Sequence, residues 1–124
     1  MDKKFLAKFL IPKLRNMSRW WPEKAKAMQL AREQVHIGFY KNGKPEYKTM
    51  FKCAQCGELF DRKEIDVDHI NPVVSVDGFT DWDDYITNLF CDSNKLQILC
   101  EADHFIKSQA ENEQRRENKK LVKK

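Results

Sequence analysis

Ile65-Asp66-Val67-Asp68-His69-Ile70-Asn71-Pro72 is the stretch on which the reading of this chain turns. Ile65, Val67 and His69 alternate with Asp66, Asp68 and Ile70, the period of two that predicts a strand. Asn71-Pro72 closes it, because proline brings no backbone donor to a ladder. Successive strand side chains point to opposite faces, so Asp68 and His69 are ordinarily held apart. At a strand end beside a helix they can serve one site, Asp68 as a metal ligand and His69 as a base. Imidazole suits that task because its ordinary pKa, about 6.5, lies near working pH.

Toward the C-terminus, residues 73–90 read as a long connection with a helical turn from Asp81 to Leu89, capped by Asp81. Leu96 to Cys100 is a second short strand. From Glu101 to about Lys120 there is neither Gly nor Pro and helix formers dominate, which predicts a helix. His104 lies four residues after Cys100, on the same helix face, with Lys107 and Ser108 a turn further on, placed to meet a phosphate. A metal held by one carboxylate and one imidazole keeps positions free for water and phosphate, the mark of a catalytic rather than a structural site. The chemistry implied is phosphodiester hydrolysis, with a divalent cation on the phosphate and a base for water.

Toward the N-terminus, Cys53-Ala54-Gln55-Cys56-Gly57 is a CxxC knuckle able to grip a tetrahedral zinc, its Gly permitting the tight turn. Cys100 is the natural third ligand. For the fourth, Asp103 is favoured by its spacing from Cys100, with Cys91 as the softer rival. A redox pair is the weaker reading, since no strand–helix–strand pattern surrounds it. Tyr47 to Lys52 predicts a strand leading into Cys53, and Lys41 to Pro45 a hairpin turn around Asn42-Gly43. Residues 1–15 read as a basic helix docking through Phe5, Leu6, Phe9 and Leu10. A connector follows in which Trp20 and Trp21 read as core rather than as a base-stacking platform. A helix then runs from Pro22 to about Gln34, with Glu23 near its start and a weak apolar stripe of Ala25, Met28, Leu30 and Ala31. His36 reads as structural.

At 124 residues, 34% charged and 41% hydrophobic, the chain is one domain with a modest core, of the kind a metal can staple. Its net charge of +4 conceals a pattern. Residues 1–52 carry 13 Lys/Arg against 4 Asp/Glu, residues 53–104 carry 3 against 12, and residues 105–124 carry 7 against 3. Basic arms suit a polyanion, and the acidic centre between them would repel it unless a cation sits there. No apolar stretch reaches the roughly 20 residues of a membrane span. Lys8 interrupts the N-terminal apolar run and no cleavage site follows, so a signal peptide is not expected. A cytoplasmic setting follows as the expectation, and it favours metal binding over disulfides.

Taken in order, Cys53-x-x-Cys56-Gly57, Val67-Asp68-His69-Ile70-x-Pro72 and Leu96-Gln97-x-Leu99-Cys100-x-x-x-His104-x-x-Lys107 resemble the HNH endonuclease family. Trp82-Asp83-x-Tyr85-Ile86, Leu89-Phe90-Cys91 and Ser18-Arg19-Trp20-Trp21-Pro22 look like segments of small phage-encoded members. The match spans roughly residues 15–110. The resemblance implies an α+β fold with a ββα-metal (His-Me finger) core, a zinc knuckle, N-terminal helices and a long C-terminal helix. Residues 1–46 would form a basic helical arm, 47–110 the nuclease core and 111–124 a basic extension. It further implies His69 as general base, Asp68 and His104 on a catalytic Mg²⁺, Mn²⁺ or other divalent ion, and Cys53, Cys56 and Cys100 on structural zinc. Asn94 would orient the loop that carries the base.

Two departures stand out. Asp103 replaces the cysteine usual in the second knuckle, and Lys95 occupies the usual asparagine place, with Asn94 one residue earlier. The expected partner is double-stranded DNA, met by Lys95, Lys107, Ser108, Arg115 and Arg116, with cleavage linked by analogy to phage packaging proteins in a bacterial host. A monomer or weak dimer is expected. The competing readings are a zinc-stabilised nucleic-acid-binding module without catalysis and an interaction or inhibitor protein on a degenerate nuclease scaffold.

Overall fold

A computed structural model describes residues 2–74 and 81–122. Residues 75–80 of the expected long connection and 123–124 of the basic tail lie outside the described residues. Asp2 starts helix α1 (Lys3–Met17) by accepting a hydrogen bond from the Lys4 backbone N–H at 3.0 Å. The docking face expected of this helix is corrected. α1 fully buries no residue, and Phe5 and Phe9 are 63% and 54% exposed, while Leu6, Ala7, Leu10, Ile11 and Leu14 are half-covered, so the covered stripe is rotated away from the phenylalanines. Lys13 places its ammonium 4.5 Å from the Phe9 ring centre.

A 3-10 turn at Ser18–Trp20 leads into α2 (Pro22–Ala31), with Pro22 in the first turn, where its missing N–H costs nothing. The two tryptophans part company here. Trp21 is half-buried, donates its indole N–H to the Cys91 carbonyl at 2.7 Å and meets Phe90 edge-on at 5.4 Å. Trp20 is 83% exposed, so the expectation of a buried pair holds for one member only. The stripe expected on α2 also shifts. Ala27 is the buried residue and Leu30 is 77% exposed. A methyl side chain at the contact lets the helix lie close over Cys91, Leu96 and Val67, with which Ala27 forms one core cluster.

α2 ends three residues earlier than expected. Arg32 takes extended backbone and opens β1 (Arg32–Phe39), in keeping with the β-forming Val35 and Ile37 ahead. β1 pairs antiparallel with β2 (Pro45–Lys52) through the expected turn, where Gly43 adopts φ +86° and Asn42 caps the Lys44 N–H at 3.1 Å. A two-residue β3 (Leu59–Phe60), too short for periodicity to show, completes this sheet in the order β1-β2-β3.

β4 (Ile65–His69) pairs antiparallel with β5 (Leu96–Cys100) in a second sheet. Between them lies α3 (Trp82–Leu89), capped as expected by Asp81, whose carboxylate accepts from the Asp84 N–H at 2.7 Å. β5 passes without a break into α4 (Glu101–Val122). The described residues thus form a mixed α+β arrangement of four α-helices and two small sheets. None of the described helices is long and apolar enough to cross a membrane.

β5 runs through the centre of the molecule. Leu96, Ile98, Leu99 and Cys100 are all buried, Leu96 in the cluster with Ala27 and Leu99 in a second cluster with Cys53, Cys100 and Phe60. The Ala54 N–H donates to the Ile98 carbonyl at 2.8 Å, which fastens the CxxC knuckle to this strand. Truncating Leu99 to Ala should therefore remove about 2–4 kcal/mol of stability, lost packing plus the cavity left behind, as read by denaturant unfolding.

Candidate functional site

At the junction of β5 and α4 the ligand atoms of Cys53, Cys56, Cys100 and Asp103 converge within 4.8 Å of one another. The knuckle supplies the first two. Its turn is closed by Gly57 N–H to Cys53 O at 3.0 Å, with Gly57 at φ +76°, a conformation that favours glycine. Asp103, in the first turn of α4, accepts from the Cys53 and Cys100 thiols at 3.2 and 3.3 Å. Asp103 is thus the fourth member, as its spacing suggested. The alternative is corrected: Cys91 is buried in the separate cluster with Ala27 and Leu96, beneath α2.

Burial pushes the Cys100 thiol up to about 11, against the Asp103 backbone N–H, and the neighbouring Asp103 carboxylate and Cys53 sulfur add to the rise. Burial also works against the Cys53 thiolate, but the backbone N–H groups of Cys56, Cys100 and Gln55 outweigh it and its pKa falls. Donated thiol protons hold Asp103 below its ordinary value. Thiolates and a carboxylate brought this close together are a donor set whose charge a divalent cation would offset. Tetrahedral sulfur ligands at 2.3 Å stand about 3.8 Å apart, so the four residues could hold a metal ion after a small contraction. The set is compatible with structural zinc.

A second centre lies at the other end of the β4–β5 pair. The register places Asp68 opposite Gln97 and His69 opposite Leu96. Asp68, His69, His104, Lys107, Ser108 and Arg115 line one cavity of about 290 Å³. The expected conflict between adjacent strand residues resolves because His69 is the last residue of β4 and borders the cavity from the strand end. Its Nε2 lies 3.0 Å from the carbonyl oxygen of Leu89, the last residue of α3. A carbonyl only accepts, so Nε2 carries the proton and Nδ1 keeps its lone pair. Burial lowers the pKa of His69 despite the Leu89 carbonyl, with the nearby Lys24 charge adding to the fall. The neutral, proton-accepting form is thereby favoured.

Asp68 is nearly covered, its side chain 11% exposed. A carboxylate so placed needs partners. Oδ2 accepts from Gln97 Nε2 at 3.0 Å and from Lys107 Nζ at 3.2 Å, while Oδ1 faces His104 Nε2 at 3.7 Å. That last distance is too long for a hydrogen bond. It is within the span of two ligands on one divalent ion, whose bonds of about 2.1 Å allow a separation up to about 4.2 Å. Asp66, two residues earlier on the same face, stands 3.8 Å from His104 Nδ1. Lys107 is tied further to the His69 carbonyl at 3.0 Å and to Glu111. Burial opposes its charge, but Glu111 and Asp68 outweigh that and raise its pKa.

Other expected residues fall outside this cavity. Asn94 is exposed in a 3-10 turn (Ser93–Lys95), and the tether to the loop after β4 is the Lys95 carbonyl, which accepts from Ile70 N–H at 3.0 Å. Lys95 and Arg116 have exposed side chains and do not line the cavity either. Several contributors were not anticipated. Glu111 stands one turn beyond Lys107, Arg15 reaches in from the end of α1, and the Leu89 carbonyl fixes the His69 ring. The i, i+4 spacing of Lys107 and Glu111 could have signalled the first. Nothing in the sequence marks a backbone carbonyl or a distant arginine.

Compared with protein-family models, curated proteins and solved structures, the chain matches none.

The cluster at the β5–α4 junction makes a direct prediction. The purified protein should contain about one equivalent of zinc, and a chelator should lower its melting temperature, because metal affinity is folding free energy. Cys56→Ser and Asp103→Ala should each weaken zinc binding by at least about tenfold. Cys91→Ser should leave zinc stoichiometry unchanged, as measured by elemental analysis and competition with a chromogenic chelator.

Proposed function

We propose that this protein is a metal-dependent DNA endonuclease of the HNH type, built on a ββα-metal core formed by β4, β5 and α4. The observation that carries the reading is the shared cavity. A carboxylate, a neutral imidazole with a free Nδ1 and a second imidazole border it together, beside the cationic side chains of Lys107 and Arg115. The sequence resemblance supports the same reading. So does the zinc-compatible cluster, which braces the turn that presents His104.

In this reading His69 Nδ1 takes a proton from the attacking water, while Nε2–H stays on the Leu89 carbonyl and holds the ring at its angle. Asp68 Oδ1 and His104 Nε2, 3.7 Å apart, would hold a catalytic divalent ion such as Mg²⁺ or Mn²⁺. Bound there, such an ion supplies positive charge to the scissile phosphate and the departing oxygen. Lys107 and Gln97 hold and orient Asp68, and Arg15, Arg115 and Ser108 are placed to meet phosphate oxygens. The basic flanks of the chain fit a DNA substrate, and cytoplasmic action in a phage-infected host remains part of the proposal by analogy alone.

Plasmid relaxation tests the reading. Wild-type protein given Mg²⁺ or Mn²⁺ should nick or linearise supercoiled DNA, and withholding the ion should stop it. His69→Ala should lose about 10²–10⁴-fold in rate while keeping its zinc and its melting temperature. Full turnover in a folded His69→Ala protein would remove the base assignment. Absence of cutting by wild type with either ion, under conditions where it shifts DNA in a gel, would favour a binding module instead.

A further inference from the structure

On the face formed by α2 and the first residues of β1 lies a second and larger depression, about 800 Å³. Its chemistry differs from that of the catalytic cavity. Arg19, Lys24, Arg32 and Arg62 bring four cationic side chains to it against a single carboxylate, Asp66. Trp20 stands on its rim with 83% of its surface exposed. The neighbouring Trp21 has a structural task, its indole bonded to Cys91 and its ring against Phe90. Among the described residues Trp20 has no ring or hydrogen-bond partner of that kind. Folding gains little from an indole left in water, so its position calls for another account.

We infer that this groove binds an unpaired stretch of the DNA substrate, with a base stacked on Trp20 and the backbone phosphates following Arg19, Arg32 and Arg62. The inference rests on the nuclease reading for the identity of the polymer and deepens it by naming the form of DNA that is held. Three observations converge on it. Exposed aromatic faces beside a cationic groove are the arrangement by which single strands are held, since every base offers a π-face. Arginine pairs with phosphate in a fork geometry and is weakly hydrated, which suits such a groove better than lysine. The groove also adjoins the catalytic cavity. Asp66 and Val67 border the groove while Val67, Asp68 and His69 border the cavity, a step of two strand residues or roughly 7 Å. The two depressions thus share Val67 as a common border. Base pairs would keep base faces away from an indole on the rim, so duplex DNA gains nothing from Trp20.

The test is binding by the full chain without added Mg²⁺ or Mn²⁺, so that the readout does not depend on cleavage. Fluorescence anisotropy would compare labelled oligothymidylate, a duplex with an unpaired arm, and a blunt duplex. Wild type should bind the two forms with unpaired nucleotides more tightly than the blunt duplex. Trp20→Ala, at an exposed position, should lose about tenfold on those forms, the scale of one base–aromatic stack, and change little on the blunt duplex. Quenching of tryptophan emission by oligothymidylate should shrink in the same variant. Arg19→Gln with Arg32→Gln should lower the salt dependence by about one to two phosphate contacts. Equal or tighter binding of blunt duplex, no binding of any form, or an unchanged Trp20→Ala would overturn the groove assignment. The nuclease reading fails separately: a plasmid left uncut beside an intact, Trp20-dependent preference would retire the enzyme and leave the groove standing.

Discussion

The antiparallel register of β4 and β5, continued without a break into α4, is the constraint on which both candidate centres depend. Pairing Ile65 with Cys100 and His69 with Leu96 sends the two ends of one short ladder to two sites. At the Cys100 end the chain turns into α4 and brings Asp103 to the cysteines. At the His69 end the same helix, one turn on, brings His104 and then Lys107 to Asp68. A slip of one residue in the ladder would turn Asp68 away from α4 and Val67 toward it. The buried side chains of Leu96, Ile98 and Leu99 resist such a slip, because it would expose apolar surface on one side and bury Gln97 on the other.

Charge organises the molecule at a second level. The centre of the chain is acidic, and the structure pairs several of its carboxylates with donors. Asp68 is compensated by Lys107 and Gln97, Asp103 by two thiols, and Asp61 by Lys48 at 2.8 Å. The last pair is exposed and contributes little to stability. The Asp68 set is largely covered, where losing one partner strands a charge and costs more. Lys107 is therefore important to the resting geometry of the site. It holds one oxygen of Asp68 and leaves the other directed at His104.

The part of the site that the sequence displayed is the part carried by close spacing. Cys53 with Cys56, Cys100 with Asp103 and His104, and His104 with Lys107 are each within one turn or one knuckle, so local geometry alone brings them together. The strand at residues 65–69, its partner at 96–100, the cap at Asp81 and the long final helix were visible for the same reason. The early end of α2 was less visible, since Gln34 and Glu33 are acceptable in a helix and yield to strand pairing with Thr49 and Met50. α1 matched its expected face only in part, with Leu6 and Leu10 half-covered and Phe5 and Phe9 exposed. An amphipathic pattern states which face is apolar and not whether anything lies against it.

What the sequence by itself determined is therefore the inventory: a basic–acidic–basic chain, a knuckle with four spaced candidates, an Asp-His pair at a strand end and a histidine on the following helix. The tertiary structure decided which candidates meet. It set Asp103 rather than Cys91 in the cysteine cluster, gave the orientation of His69 to the Leu89 carbonyl, placed Asn94 outside the cavity, and separated Trp20 from Trp21. The physical reason is common to all four. Each depends on a contact between segments distant in sequence, fixed by how α2, α3 and α4 pack around one buried strand. Such contacts leave no periodic trace in the order of the residues.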